Sequence, residues 1–443
     1  MTAALLALVP ILGLAQHGGM GGGGGGGGMT SGGSMSGPAG GSGMSNGMSN
    51  EMGTRMAPST GMSALRDARR MHAEALQQGH RDLLDFDPRG DLIVRNELVG
   101  IGATTQGLAV AQAAGFVIAR QSELEGLDAN VVVLTAPQGL SARKALKQLR
   151  ELDPDASYDF NHLYFKGGTD AAAASVPAPP SVGDGQQTLA RRVGLIDGGV
   201  ESGHAALRSL TLHTHGCNGT VVPSSHGTAI ASRLVVGFSD AMSTMISVDL
   251  YVADVYCDAP TGGSTDAVVQ ALAWLMQQDV PVINVSLVGP PNVLLQRAIQ
   301  MALARGHLIV AAVGNDGPSA PPLYPAAYPG VVAVTAVDRA DKVLIEAGRG
   351  QFIAFAAPGA DIDAASLPSG YSPVRGTSFA APIVASRLAL RLERPDRAAA
   401  ERAVSELVTA AVDLGRPGRD SVYGNGCVGC ATRDVAVEAA RAR

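Results

Sequence analysis

Charge is scarce in this sequence. Asp, Glu, Lys and Arg make up 16 % of its 443 residues, and the balance is acidic, at −6. That excludes partners held by bulk positive charge, nucleic acid and anionic membrane surfaces among them. Aromatics are scarcer still, at 4 %, so a large core has to rest on Ala, Val, Leu and Ile. The apolar opening "MTAALLALVPILGLAQ" is too short to span a bilayer and fits the core of a signal peptide, with "GLA" before Gln16 as its cleavage site. It lacks the Lys or Arg that usually precedes such a core. No integral span is expected once it is removed, and the chain is expected in a secreted, periplasmic or cell-envelope setting. Cysteine is absent before Cys217, and the other three are Cys257, Cys427 and Cys430. Four cysteines allow three pairings; Cys217 with Cys257 and Cys427 with Cys430 is the expected one.

Six segments follow from composition and pattern. Residues 1–16 read as the signal peptide. Residues 17–62 are rich in Gly, Met and Ser, hold eight of fourteen methionines and almost no other large apolar side chain. Such a tract cannot bury enough surface to offset its ordering entropy and reads as a disordered tether. Residues 63–88 continue a charged amphipathic helix that starts at Met62 and runs to Phe86. Residues 89–166 alternate as β-α-β-β-α-β, a split βαβ domain, with Ser141 opening the second helix. Residues 167–188, "GGTDAAAASVPAPPSVGDGQQT", form an exposed linker of the kind proteases cut. In 189–443, Val/Ile-rich strands ("RVGLI", "LYVAD", "VPVINVS", "HLIVAAV", "VVAVTAV") alternate with helical runs. That implies an α/β fold, a parallel sheet covered on both faces.

Ligands and catalytic groups of open parallel sheets gather beyond the carboxyl ends of the strands. There the sequence places Asp197 after "VGLI", Ser286 after "VINV" and Asn315 after "IVAAVG"; His226 and Ser378 each open an apolar helix. These groups complement one another. A serine hydroxyl becomes a useful nucleophile when an imidazole can take its proton, and a carboxylate fixes the imidazole tautomer and stabilises its cation. Acyl transfer also needs donors for the developing oxyanion, which the Asn315 amide and the Ser378 backbone N–H could supply. Gly198, Gly227, Gly314 and Gly376 leave room for backbone and substrate.

The blocks "GLIDGG", "HGTAIAS", "VAAVGN" and "GTSFAAP" resemble the signature motifs of the subtilisin family, the subtilases, in that family's order Asp, His, Asn, Ser. The resemblance covers nearly all of residues 190–425. It implies a subtilisin-like fold and a serine endopeptidase with Asp197, His226 and Ser378 as triad and Asn315 in the oxyanion hole. It implies two cleft edges that hold peptide as an added strand: Ser286, Leu287 and Gly289 within "SLVG", and Gly262 and Gly263 within "TGG". Gly314 belongs with this substrate-binding set. The domain 89–166 resembles the inhibitory propeptide that many subtilases carry and remove. Its implied partners are protein or peptide substrates and that propeptide; the mature form is expected to be monomeric. Two departures are Gly198, where Thr or Ser is commoner, and Phe379, where Met is. Leu323, in a segment resembling a wall of the pocket for the residue before the cut, would fill the pocket floor and favour small residues such as Ala there. No metal ligand is assigned and no cofactor is expected. Calcium stays open, with no carboxylate cluster like the family's calcium loops to support it.

Three other matches carry little. "GMSNG" lacks a strand before it, "GNGCVG" lacks a βαβ unit, and "HTHGC" lies in what reads as a loop, so none is assigned a site. The rival to the protease is a catalytically silent peptide-binding protein on the same fold, which serine-directed labelling would separate from it.

Overall fold

The computed structural model describes residues 58–167, 169–170, 190–239 and 247–430. The expected signal peptide, the Gly/Met/Ser-rich tract up to residue 57, nearly all of the linker and residues 431–443 lie outside them. The first described element is α1 (Pro58–Gly79), followed by β1 (Leu84–Phe86). The helix expected to reach Phe86 therefore stops at a glycine, a common helix terminator, and "LDF" pairs as an edge strand. Then come β2 (Leu92–Ile101), α2 (Thr105–Ala113), β3 (Val117–Leu124), β4 (Ala129–Thr135), α3 (Ala142–Leu152) and β5 (Ser157–His162), a βαββαβ run. The sheet is antiparallel, in the order β1-β2-β4-β3 with β5 also on β2.

Strand alternation gives this sheet two apolar faces. Leu98, Val132 and Leu134 pack on residues of α2 and α3. Their neighbours Val99, Ile101, Val131 and Val133 join a different cluster, shared with helices of the second region. The first region therefore uses the second to cover half of its sheet.

Two-residue strands β6 (Phe165–Lys166) and β7 (Thr169–Asp170) lead on to the larger α/β region. Its elements are β8 (Ala190–Asp197), β9 (Leu210–His215), α4 (Ser225–Ser239), β10 (Ser247–Asp254), α5 (Thr265–Gln277), β11 (Val282–Val285), β12 (Leu287–Val288) and α6 (Val293–Ala304). They continue with β13 (Leu308–Ala312), β14 (Val332–Val337), β15 (Ile353–Pro358), β16 (Ile362–Ala365), β17 (Tyr371–Arg375), α7 (Ala381–Ala389) and α8 (Arg397–Ala410). Seven strands form a parallel sheet in the order β15-β14-β13-β11-β8-β10-β9. Val193, Leu195 and Val310 face α4, α7 and α8. Ile196, Ile283 and Ile309 face α5 and α6. With β8, β11 and β13 adjacent at the centre, the residues just past their carboxyl ends share one rim.

The "HTHGC" histidines are on an edge strand, β9, and not in a loop. His213 stacks on Tyr251 at 4.3 Å between ring centroids and His215 on Trp274 at 4.8 Å. The cysteines pair as Cys217–Cys257 and Cys427–Cys430.

Candidate active site

Asp197 is the last residue of β8, an interior strand of the sheet, and has no solvent exposure. His226 is the second residue of α4, and its Nδ1 lies 2.9 Å from both Asp197 carboxylate oxygens. An ionised carboxylate only accepts, so Nδ1 carries the proton and Nε2 presents its lone pair. Nε2 is buried and has no hydrogen-bond partner among the described residues.

Ser378 sits in a single 3-10 turn (Thr377–Phe379) between β17 and α7, fully buried. Its hydroxyl makes no hydrogen bond to His226. It donates instead to the carbonyl oxygen of Gly167, with the Ser286 carbonyl 3.3 Å away. The same Gly167 oxygen accepts from Asn315 Nδ2 at 2.8 Å. Asn315 lies just past β13, and its Oδ1 accepts from the Thr377 N–H at 3.1 Å, which turns the amide nitrogen toward Gly167. Thr377 Oγ1 in turn accepts from the Gly314 N–H at 3.1 Å. No pattern in the sequence points to this positioning role for Thr377. The Ser378 N–H, expected as a second donor, makes no hydrogen bond to the Gly167 carbonyl.

Between the two expected cleft edges lies the chain itself. In β6, Lys166 pairs with Leu287 and Phe165 with Val288 of β12, antiparallel. The Gly167 N–H points at the Ser286 carbonyl at 3.4 Å. On the other edge the Tyr164 N–H donates to the Gly263 carbonyl at 2.8 Å, and Leu163 bridges Ser264. Past Gly167, β7 pairs with β17 through Thr169↔Arg375 and Asp170↔Val374. Backbone pairing on two edges is how an extended peptide gains affinity while alternate side chains enter pockets.

The expected lining residues divide. Ser286, Leu287 and Gly263 hold the strand through backbone atoms. Gly263 needs its φ of +75°, and an added Cβ would strike the Tyr164 carbonyl and the Tyr256 ring. Gly289 lies against the Tyr164 ring, where a Cβ would come within 2.6 Å. Leu323 is 6 % exposed, and its Cδ1 is 2.5 Å from where a Cβ on Gly314 would be. Gly262 makes its backbone hydrogen bond within the loop, its N–H donating to the Ala259 carbonyl at 2.9 Å.

Helix α1 lies over the same segment. His72 meets the Phe165 ring edge-on at 5.5 Å, and Arg69 pairs with Asp316, beside Asn315, at 2.7 Å.

A family model described as "Subtilase family" matches residues 191–426. The chain is 30 % identical over 240 residues to subtilisin DY from Bacillus licheniformis, covering 52 % of this chain and 86 % of that protein. It is 29 % identical over 264 residues to subtilisin E from Bacillus subtilis (strain 168), covering 57 % and 68 %. Among solved structures it resembles fervidolysin from Fervidobacterium pennivorans with a TM-score of 0.61 at 17 % identity, over 80 % of this chain and 62 % of that one; this likeness speaks to the fold. The match of the family model to more than half of the sequence, on the α/β architecture described above, establishes that this chain belongs to the subtilase family and is a subtilisin-like serine endopeptidase.

Proposed function

We propose that the chain is the precursor of an exported peptidase that cuts itself after Gly167. In this reading Ser378 is the nucleophile, His226 its general base, Asp197 the group that orients and stabilises His226, and Asn315 the oxyanion donor. The region ending at Gly167, with the domain 89–166 as its last part, is the propeptide. The observation that carries the reading is the shared acceptor: one carbonyl oxygen takes both Asn315 Nδ2 and the Ser378 hydroxyl.

The steps balance. The hydroxyl turns from Gly167 toward His226 Nε2, gives up its proton there, and Oγ adds to the Gly167 carbonyl carbon. The oxyanion is held by the amide already in place. Collapse breaks the bond to Gly168, whose nitrogen leaves with the proton from His226, and Gly167 remains as an ester on Ser378. Water, deprotonated by His226, then adds to the ester carbon, and collapse releases the Gly167 carboxylate as His226 returns the proton to Ser378 Oγ. A buried carboxylate beneath the ring favours the imidazolium that each step passes through.

Export rests on the apolar opening of the sequence and on the two disulfides, which persist in oxidising compartments. Among the described residues, no helix is long and apolar enough to cross a membrane.

Expression of wild type and Ser378→Ala in a protease-free host tests the proposal. Wild type should yield a fragment beginning at Gly168 and label with a fluorophosphonate at Ser378. The alanine variant should stay intact at that bond and unlabelled. Identical processing of the two would overturn self-cleavage, and a wild type that does not label would favour the silent peptide-binding protein.

A further inference from the structure

Lys166 occupies the cleft position immediately before Gly167, and its surroundings are specific. Backbone pairing with Leu287 fixes its Cα, while the neighbouring Tyr164 is fixed by Gly263. Its ammonium nitrogen lies 4.7 Å from the centroid of the Tyr256 ring. It stands beside Gly198, 3.5 Å from where a Cβ would be. This is the glycine that replaces the family's commoner Thr or Ser.

Tyr256 itself is held rigidly. Its hydroxyl donates to the Tyr164 carbonyl at 3.0 Å, and its N–H donates to Asp254 Oδ1 at 2.9 Å. The adjacent Cys257 N–H reaches the same oxygen at 3.0 Å, and Cys257 is tied to Cys217. The aromatic face that meets the ammonium is thus anchored at hydroxyl, backbone and disulfide. The local field is negative as well. Burial, with the Asp197 and Asp254 carboxylates adding to it, holds the Tyr256 phenol well above its usual range, so the ring stays neutral. Asp254 Oδ2 is buried and without a partner among the described residues. Among the described residues no carboxylate is within ion-pair distance of Lys166, and the lysine stays exposed. An ammonium there gains the ring quadrupole and the field without losing its water, whereas a carboxylate would meet like charge.

We propose that this peptidase selects a basic residue, Lys or Arg, at the substrate position preceding the residue cut, with the face of Tyr256 as the cation-binding wall. The proposal rests on the reading that residues 163–167 lie in the cleft as substrate. Tyr256 is the specificity-determining residue; Asp254 and the Cys217–Cys257 bond position it.

The test uses enzyme matured from the full chain and quenched peptides built on Leu-Tyr-Phe-Xaa-Gly-Gly-Thr-Asp, the sequence of residues 163–170, with Xaa as Lys, Arg, norleucine or Glu. Norleucine keeps the aliphatic stem and removes the charge. Lys and Arg peptides should show a kcat/KM about three- to tenfold above norleucine, with Glu lowest. Tyr256→Phe keeps the ring and loses the bond to the Tyr164 carbonyl, so it should slow all four peptides together and keep the ratio. Tyr256→Leu should bring the Lys to norleucine ratio to about one. Equal cleavage of Lys and norleucine peptides by wild type overturns the subsite and leaves the peptidase reading standing. Failure to cut any of the four, together with no fluorophosphonate labelling at Ser378, overturns both.

Discussion

Asn315 and Ser378, 63 positions apart in sequence, donate to one carbonyl oxygen, that of Gly167. The donor is held by Thr377, whose N–H takes the other end of the Asn315 amide. A fixed donor at a carbonyl matters most when that oxygen becomes an anion. Asn315→Ala should therefore lower kcat of the mature enzyme by about 10²–10³-fold with little change in KM. Self-cleavage of the precursor should slow by a similar factor, as read from the lifetime of the full-length chain. An unchanged kcat would remove Asn315 from the oxyanion site.

Leu323 Cδ1 lies 2.5 Å from where a Cβ on Gly314 would be, and the residue before the proposed cut is Gly167. Gly167→Phe has nowhere to place its ring, and overpacking of this kind costs about 1–3 kcal/mol. Self-cleavage should slow by roughly 10- to 100-fold. Leu323→Gly in the same chain should restore much of the rate, and in the mature enzyme it should shift preference from Ala toward Phe peptides. A Phe peptide cut faster than its Ala partner by wild type would discard the filled-pocket account.

Asp197, His226, Ser286, Asn315 and Ser378 were legible in the sequence because each follows an apolar run that must be a strand or opens one that must be a helix. The strand order then puts Asp197, Ser286 and Asn315 on one rim, whereas His226 and Ser378 reach it through α4 and the turn before α7, which no strand order dictates. Other features had no such signal. The strands β6, β7 and β12 have two residues each, too few for any periodicity, and exist because the chain lies in its own cleft. The end of α1 at Gly79 was readable from that glycine, but the charged stretch after it continued a plausible helical pattern. Leu84 and Phe86 pair across to Val94 and Leu92, which only the partner strand reveals. Tyr256 is one aromatic in a Gly-rich loop, and its part in the cleft depends on contacts with Tyr164 and Lys166 from distant sequence.

Acid should loosen the precursor through one buried pair. Burial pushes the Asp87 carboxyl up, but hydrogen bonds from His162 and from the Asp91 and Arg89 N–H groups outweigh it and hold it at about 2. His162 is itself bound by Asn292, the N-cap of α6, at 2.9 Å, so the pair joins the first region to the second. A carboxyl depressed on folding stabilises the folded state above its unfolded pKa. Here that is about 2 kcal/mol, lost as pH falls from about 4 toward 2. The melting temperature of the Ser378→Ala precursor should drop across that window. Adding Asp87→Asn should lower stability at pH 5 and flatten part of the drop; parallel curves would exclude this pair as a contributor.

The two disulfides should differ in what they hold. Cys217–Cys257 closes a loop with a sequence separation of 40, and Cys427–Cys430 one of only 3. Chain-entropy arguments give about 4 kcal/mol for the first and about 2 kcal/mol for the second. Cys217→Ser with Cys257→Ser should therefore lower the melting temperature of the mature enzyme by roughly 10 °C, and the Cys427/Cys430 double serine variant by about half that. The first pair also adjoins Tyr256, and its loss frees the loop that carries Gly263 to the peptide backbone. KM should rise in the Cys217/Cys257 variant and stay level in the other. Equal melting shifts would mean that loop closure is not what the longer bond contributes. A level KM in both would mean that Asp254, through its bonds to the Tyr256 and Cys257 N–H groups, holds the cleft loop unaided.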